Sequence, residues 1–256
     1  MHRTLWPLAL ILALTACGPS PLPPDAAVQP SDLTAEQLVA QSNAARGGEE
    51  KLRSIRSVKM TGTFGARPTS RIAASAIITP SHYLRQIGGE GGELISIKAV
   101  DGPAAWELNP LAGILKPEAM VPEDASRFRH LADPQGPLVD AQAKGNKVEV
   151  AGKLPWRGSQ VYKLKVTFPD GRTNSYYLDA KSFLPVRMLS TIYLPMINRE
   201  VDLEVTYDDF RVVDGVKWPF TEKSKAPEGR VAQTIFWKKI EVNPPVEDAV
   251  FRNPRG

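Results

Sequence analysis

The stretch 160-QVYKLKVTFPDGRTNSYYLD-179 decides the fold. Tyr162, Leu164, Val166 and Phe168 occupy every second position, with Lys163, Lys165 and Thr167 between them. An extended chain therefore turns all four apolar side chains to one face. Asp170-Gly171 breaks the pattern, and a period of two resumes at 173–179. Glycine accepts the positive φ that tight hairpin turns require, so the two segments read as adjacent antiparallel strands. A sheet with one dry face needs a cover for it.

The same grammar spreads outward in both directions. "SVKMTGTF" (57–64) places Val58, Met60, Gly62 and Phe64 on one side. Alternation recurs in 71–78, 82–87, 93–100, 146–152, 185–194, 199–210, 215–225 and 230–242, so the reading predicts about eleven strands. Two segments change period. "SDLTAEQLVAQSNAARGG" (31–48) predicts an amphipathic helix with Leu33, Leu38 and Val39 on its apolar side, Ser31 or Thr34 as cap, and Gly47-Gly48 as stop. A short second turn follows in "EEKLRSI". Within 117–140, Phe128, Leu131 and Ala132 take helical spacing, which predicts a helix from Glu123 to Leu131. The expected architecture is mainly β, with helices: one strongly curved antiparallel sheet covered on one side by helices.

The start of the chain reads differently. His2 and Arg3 precede an apolar run from Leu5 to Ala16, shorter than the roughly 20 residues of a membrane span. A basic start, short apolar core and small residues before a cleavage point predict a secretory leader over 1–16. Leu14-Thr15-Ala16-Cys17 resembles the lipobox of bacterial lipoproteins, which implies an acyl anchor such as palmitate on Cys17. Residues 17–31 are proline-rich, with Pro19, Pro21, Pro23, Pro24 and Pro30, and are expected to form an extended tether. Residues 32–256 are expected to form one domain. Gly18 rather than Asp follows the cysteine, which by the enteric sorting rule implies the outer membrane, facing the periplasm.

Composition narrows the functions. Formal net charge is +4 and the chain has a single cysteine, so no intrachain disulfide forms and packing must hold the fold. Charges of both signs interleave along the strands, which reads as a solvated surface and not as a nucleic-acid site. No catalytic signature is visible. Of the 3 histidines, His2 leaves with the leader, while His82 and His130 lack metal-ligand spacing and read as surface residues. The glycine segment at 88–92 lacks the Lys-Ser/Thr of a phosphate loop. No metal, cofactor or enzymatic activity is expected.

Several of these segments together resemble the lipoprotein-sorting superfamily of LolA- and LolB-like proteins. The helix end and first strand, "ARGGEEKLRSIRSVKMTGTF", resemble that family's start. "AVDGPAAWELNP" is similar to its Asp-Gly-x-x-x-Trp hairpin, and "YLDAKSFLPVRM" and "YDDFRVVDGVKWPF" to its later strands. The resemblance covers most of residues 34–226. It implies an unclosed β-barrel whose opening is crossed by helices and whose apolar interior takes acyl chains of a lipid or lipoprotein.

On that basis the ligand face would comprise Met60 and Phe64, Tyr162, Leu164, Val166 and Phe168, and Val201, Leu203 and Val205. The same side chains equally make a filled core against the helices, and barrel size decides between the two. Leu111, Ile114 and Leu115 fall in a segment bounded by Pro and Gly. They either form a mouth or membrane contact or lie buried under the second helix; "LPMIN" (194–198) is a weaker segment of the same kind. Arg85 shares a face with Tyr83 and Ile87 and either points inward, toward lid-helix carbonyls or a lipid phosphate, or is solvated in a register shifted by one residue. The function expected is acyl-chain binding by a membrane-anchored envelope protein for transport or localisation. The alternative is a sensor or scaffold whose same fold holds a periplasmic protein partner.

Overall fold

The computed structural model describes residues 28–89, 93–194, 199–226 and 232–254. The leader, Cys17, most of the tether and most of "LPMIN" lie outside them. The core of the fold is a single antiparallel sheet of 13 strands. These are β1 (Val58–Phe64), β2 (Ile72–Thr79), β3 (His82–Gly88), β4 (Leu94–Asp101), β5 (Ala104–Asn109), β6 (Ile114–Ala119), β7 (Lys147–Trp156), β8 (Ser159–Thr167), β9 (Thr173–Asp179), β10 (Pro185–Leu194), β11 (Arg199–Val213), β12 (Val216–Lys225) and β13 (Ala232–Val242). Sheet order runs β6-β5-β4-β3-β2-β1-β13-β12-β11-β10-β9-β8-β7. The first strand pairs with the last, while β6 and β7 remain two unjoined edges, so the barrel is unclosed.

Two strands exceed the sequence expectation. β5 begins with two alanines and β6 carries Pro117, which weakens the strand signal in both. Proline is tolerated there because β6 is an edge strand. A 3-10 turn at Pro110–Ala112, ended by Gly113 at φ 80°, joins them.

Helix α1 (Ala35–Arg46) starts at Thr34, whose hydroxyl accepts from the Gln37 amide while the Gln37 side chain accepts from the Thr34 amide. This reciprocal cap satisfies two orphan donors. Leu33, just outside the cap, and Leu38 both join one apolar cluster, which fixes the helix's entry angle. Helix α2 (Glu49–Arg53) follows, and helix α3 (Pro122–Leu131) joins the two sheet edges in sequence. The segment after α3 is tied beneath the first helices: Arg46 Nη1 donates to the Gln135 carbonyl at 3.0 Å, and the Arg53 guanidinium grips Asp140.

The end of the expected tether is not free. Gln29 and Lys153 exchange backbone hydrogen bonds of 2.8 Å, adding one bridge to the exposed edge of β7. Gly152 permits this approach, since a Cβ there would meet the Val28 side chain and lie 2.5 Å from the Gln29 carbonyl. Asp32 accepts from the Tyr162 hydroxyl at 2.8 Å. The chain therefore enters the domain on the β7–β8 side.

Candidate functional site

Register assigns the inner face. Met60, Ala76, Arg85, Lys98 and Glu107 stand side by side on β1 to β5. Tyr207 stands opposite Glu222, Val205 opposite Met188, and Met188 opposite Tyr176. The helices cover this face unevenly. α1 packs on β7 and β12, and α3 on β3, β4, β5 and β10.

The expected ligand residues consequently separate into three environments. Met60 and Phe64 join the large cluster with Trp218, Phe220 and Trp237. Tyr162, Leu164, Val166 and Phe168 are roofed by Leu38 and Leu138, and Leu164 and Val166 are 0 % exposed. These two groups are filled core. Val201, Leu203 and Val205 instead lie with Met188 and Ile192, in a strip of β10 and β11 whose cluster includes no helix residue. Met188, Ile192, Leu203 and Val205 each retain 6 to 8 % exposure. Tyr176 and Tyr207 pack against that strip.

Beside it opens a cleft of about 410 Å³ between α3 and the β8–β9 and β10–β11 ends, lined among others by Arg127, His130, Arg172, Asn174, Thr191 and Glu200. Its volume is within the roughly 300–1,000 Å³ of small-molecule sites. Its rim is polar, whereas the strip behind it is apolar. Asn174 links them: its amide donates to the Tyr176 hydroxyl at 3.4 Å and points to the Met188 sulfur at 3.8 Å.

One carboxylate latches α3 over this opening. Asp170, in the β8–β9 turn, accepts from the Ser126 hydroxyl and lies 3.0 Å from His130 Nε2. Ser126 and His130 are four residues apart and so share one side of α3. His130, expected on the surface, is largely buried and stacks on Phe168 at 3.7 Å. Serine and histidine bind the same oxygen of Asp170 and not each other, so no nucleophile–base pair forms. His82 has a separate role, 3.3 Å from Asp101 on the far side of the sheet end.

The latch is pH-sensitive. Burial holds the His130 pKa below its ordinary 6.5, against the opposing pull of Asp170, with Arg172 and Arg129 adding to the depression. Burial pushes Asp170 up, but the Ser126 hydroxyl, the Arg172 amide and His130 bring it below 3.8. An unfolded chain would take up the histidine proton near pH 6.5 and the folded chain only at lower pH, so acidification favours release. The His130 contribution is complete above about pH 6.5 and is lost as pH falls through the depressed value. Protection of the Ala125–Leu131 amides, taken relative to their intrinsic base-catalysed exchange, is expected to fall as pH is lowered below about 6.5, and His130→Gln to flatten that dependence. A protection factor that does not change with pH in the unaltered chain would contradict the latch.

Arg85 points inward, half-buried, next to Ala76 and Lys98. Leu111 and Leu115 are 83 % and 73 % exposed, and Ile114 is half-buried, so this turn is not tucked under α3. Alternation alone could not assign Ser126, Asp170 and His130 to one point, because helix and hairpin meet only through tertiary packing. Among the described residues, no helix is long and apolar enough to cross a membrane, and no group of three His, Cys, Asp or Glu could hold a metal ion.

No sequence-family model and no curated protein matches the chain. Solved structures do. A LolA superfamily protein from Nitrosomonas europaea superposes with a TM-score of 0.54 at 11 % identity, covering 86 % of this chain and 98 % of its own. A DUF1329 family protein from Desulfovibrio piger gives 0.53 at 10 % identity, with the same coverage. The chain has a LolA/LolB-like fold.

Proposed function

We propose that this protein is a membrane-anchored envelope lipoprotein that binds the acyl chains of a lipid or lipoprotein in the strip of β10 and β11, and so assists their transport or localisation at the outer membrane. The observation that carries this reading is an apolar surface of Met188, Ile192, Leu203 and Val205 linked through Asn174 to an open cleft. The exposed Leu111 and Leu115 at the β5–β6 turn suit contact with a bilayer surface or an incoming acyl chain. In this reading the leader is removed and Cys17 is acylated. The residues from Cys17 to the bridge at Gln29 would span on the order of 35 Å if extended, at about 3.1 Å per residue.

Native mass spectrometry of the full chain carrying Cys17→Ser tests it. A retained lipid of defined mass, or uptake of added phospholipid, supports the proposal. A clean unliganded mass with no uptake defeats it and favours the second reading, an envelope sensor or scaffold. That reading draws on the unpaired outer edge of β6 with Leu115 beside it, a surface to which an extended partner segment could add as a strand.

A further inference from the structure

The inner face is not apolar throughout. Arg85 enters from β3 beside Lys98, whose Nζ lies 5.2 Å from the Phe128 ring, and Arg127 of α3 lies over the same ring, so the two arginines share one neighbourhood. Tyr83 is coupled to both, and the Arg85 side chain approaches its hydroxyl. Among the described residues, Arg85 has no ion pair with a carboxylate. Arg127 stacks on Phe128 at 4.2 Å and reaches Asp124 only at 3.7 Å, an oxygen pair that Asp124 shares with Lys98 at 3.2 Å. The Nε of Arg127 is buried without a hydrogen-bond partner.

Two like charges in one half-buried neighbourhood repel, and a guanidinium left with unused donors forfeits the bonds it would make in water. A further carboxyl that feels Arg85 is Glu222. It accepts from Trp237 Nε1 at 2.9 Å and feels Arg85 without an ion pair to it, and burial raises its pKa, favouring the neutral form. The neighbouring Ala76 leaves Arg85 without a bulky side chain on its β2 flank. Tyr207 and Tyr176 continue the polar line into the apolar strip. Among the described residues, the Tyr207 hydroxyl has only the Met188 sulfur at 4.0 Å, and the Ser190 hydroxyl on the same face is buried and unpartnered. Arg127 also lines the cleft, so the cation pair and the opening are continuous.

We infer that Arg85 and Arg127 hold the acidic head group of an amphiphile, a carboxylate or a phosphate ester, inside the fold beneath α3, with its hydrocarbon lying over Met188, Leu203 and Val205. This rests on the acyl-chain reading above and adds its substrate class and its orientation, head inward. Arginine suits such a site because its planar fork can give two parallel bonds to a carboxylate or phosphate.

The test uses the full chain carrying Cys17→Ser and four probes paired by hydrocarbon: oleate against oleyl alcohol, and dioleoyl phosphatidic acid against dioleoylglycerol, with inorganic phosphate as a fifth. Each acidic probe is expected to bind at least about tenfold more tightly than its neutral partner, the least that one charge-assisted hydrogen bond supplies. Arg85→Gln and Arg127→Gln are each expected to remove the preference while neutral-probe affinity stays within about twofold, and Arg85→Lys to keep part of it. If Arg127→Gln unseats α3, Arg85→Gln still decides the matter. Equal binding of acidic and neutral probes, or a preference that survives both substitutions, overturns the head-inward site and leaves acyl binding standing. Uptake of none of the four amphiphiles overturns both readings, and phosphate bound alone would then mark an anion site without a lipid role.

Discussion

Replacing Gly62 by valine is expected to abolish stable folding, and alanine at the same position to cost about 3 kcal/mol or more. Gly62 lies in β1 opposite a bulge in β13, where the register slips so that Thr61 faces Lys239 but Gly62 faces Trp237. A Cβ on Gly62 would collide with the Phe236 carbonyl and lie 2.8 Å from the Trp237 Cα. Both obstacles are backbone, so no rotamer change relieves them. The position also joins the first strand to the last. Forcing β1 and β13 apart separates the two halves of the sheet, and Ile240, Trp237 and Ile235 lose their packing against Met60 and Phe64. Gly171→Ala is the contrasting substitution. Its φ of +83° strains an L-residue, but nothing lies within 4 Å of the added carbon, so a loss of about 1 kcal/mol is expected. Urea denaturation of both variants checks the ranking, and a Gly62→Ala chain as stable as Gly171→Ala would contradict the bulge geometry.

The legibility of this fold in its sequence followed the range of the interactions involved. The hairpin at 160–179 and α3 came through almost to the residue, because period and turn chemistry are local. β5 and β6 did not, since Ala104, Ala105 and Pro117 carry no strand signal and only pairing, of β5 with β4 and of β6 with β5, organises them. Arg85 was legible to within one residue of register, and its partners Ala76 and Lys98 decide its face. The latch at Asp170 was invisible, as it unites side chains from a helix and a turn some forty residues apart. Nor could alternation distinguish Val166 from Val205. Both are inward-facing strand valines, and what differs is that Leu38 of α1 closes over the cluster of the first, while the cluster of the second includes no helix residue.

That difference yields the other large effect. Val166→Phe is expected to cost about 2–3 kcal/mol, because Val166 is 0 % exposed in a cluster closed by Leu38 and Leu138, and added volume there forces side chains off their rotamers. Val205→Phe adds the same atoms to the strip of β10 and β11, flanked by Leu203, Met188 and the partly buried Tyr207. Its cost should stay below about 1 kcal/mol, with Met188 adjusting around the ring. The consequence moves instead to function: the ring occupies the floor on which an acyl chain would lie, so amphiphile uptake should fall by about tenfold or more, equivalent to the loss of two or so buried CH₂ contacts. Denaturation and uptake measured on the same two variants separate the regions. Equal destabilisation by both would mean that the strip is as tightly filled as the core under α1, and a stable Val205→Phe chain with undiminished uptake would place the acyl chain elsewhere. Only the crossed outcome, stability lost at 166 and uptake lost at 205, fits a barrel that is half core and half receptacle.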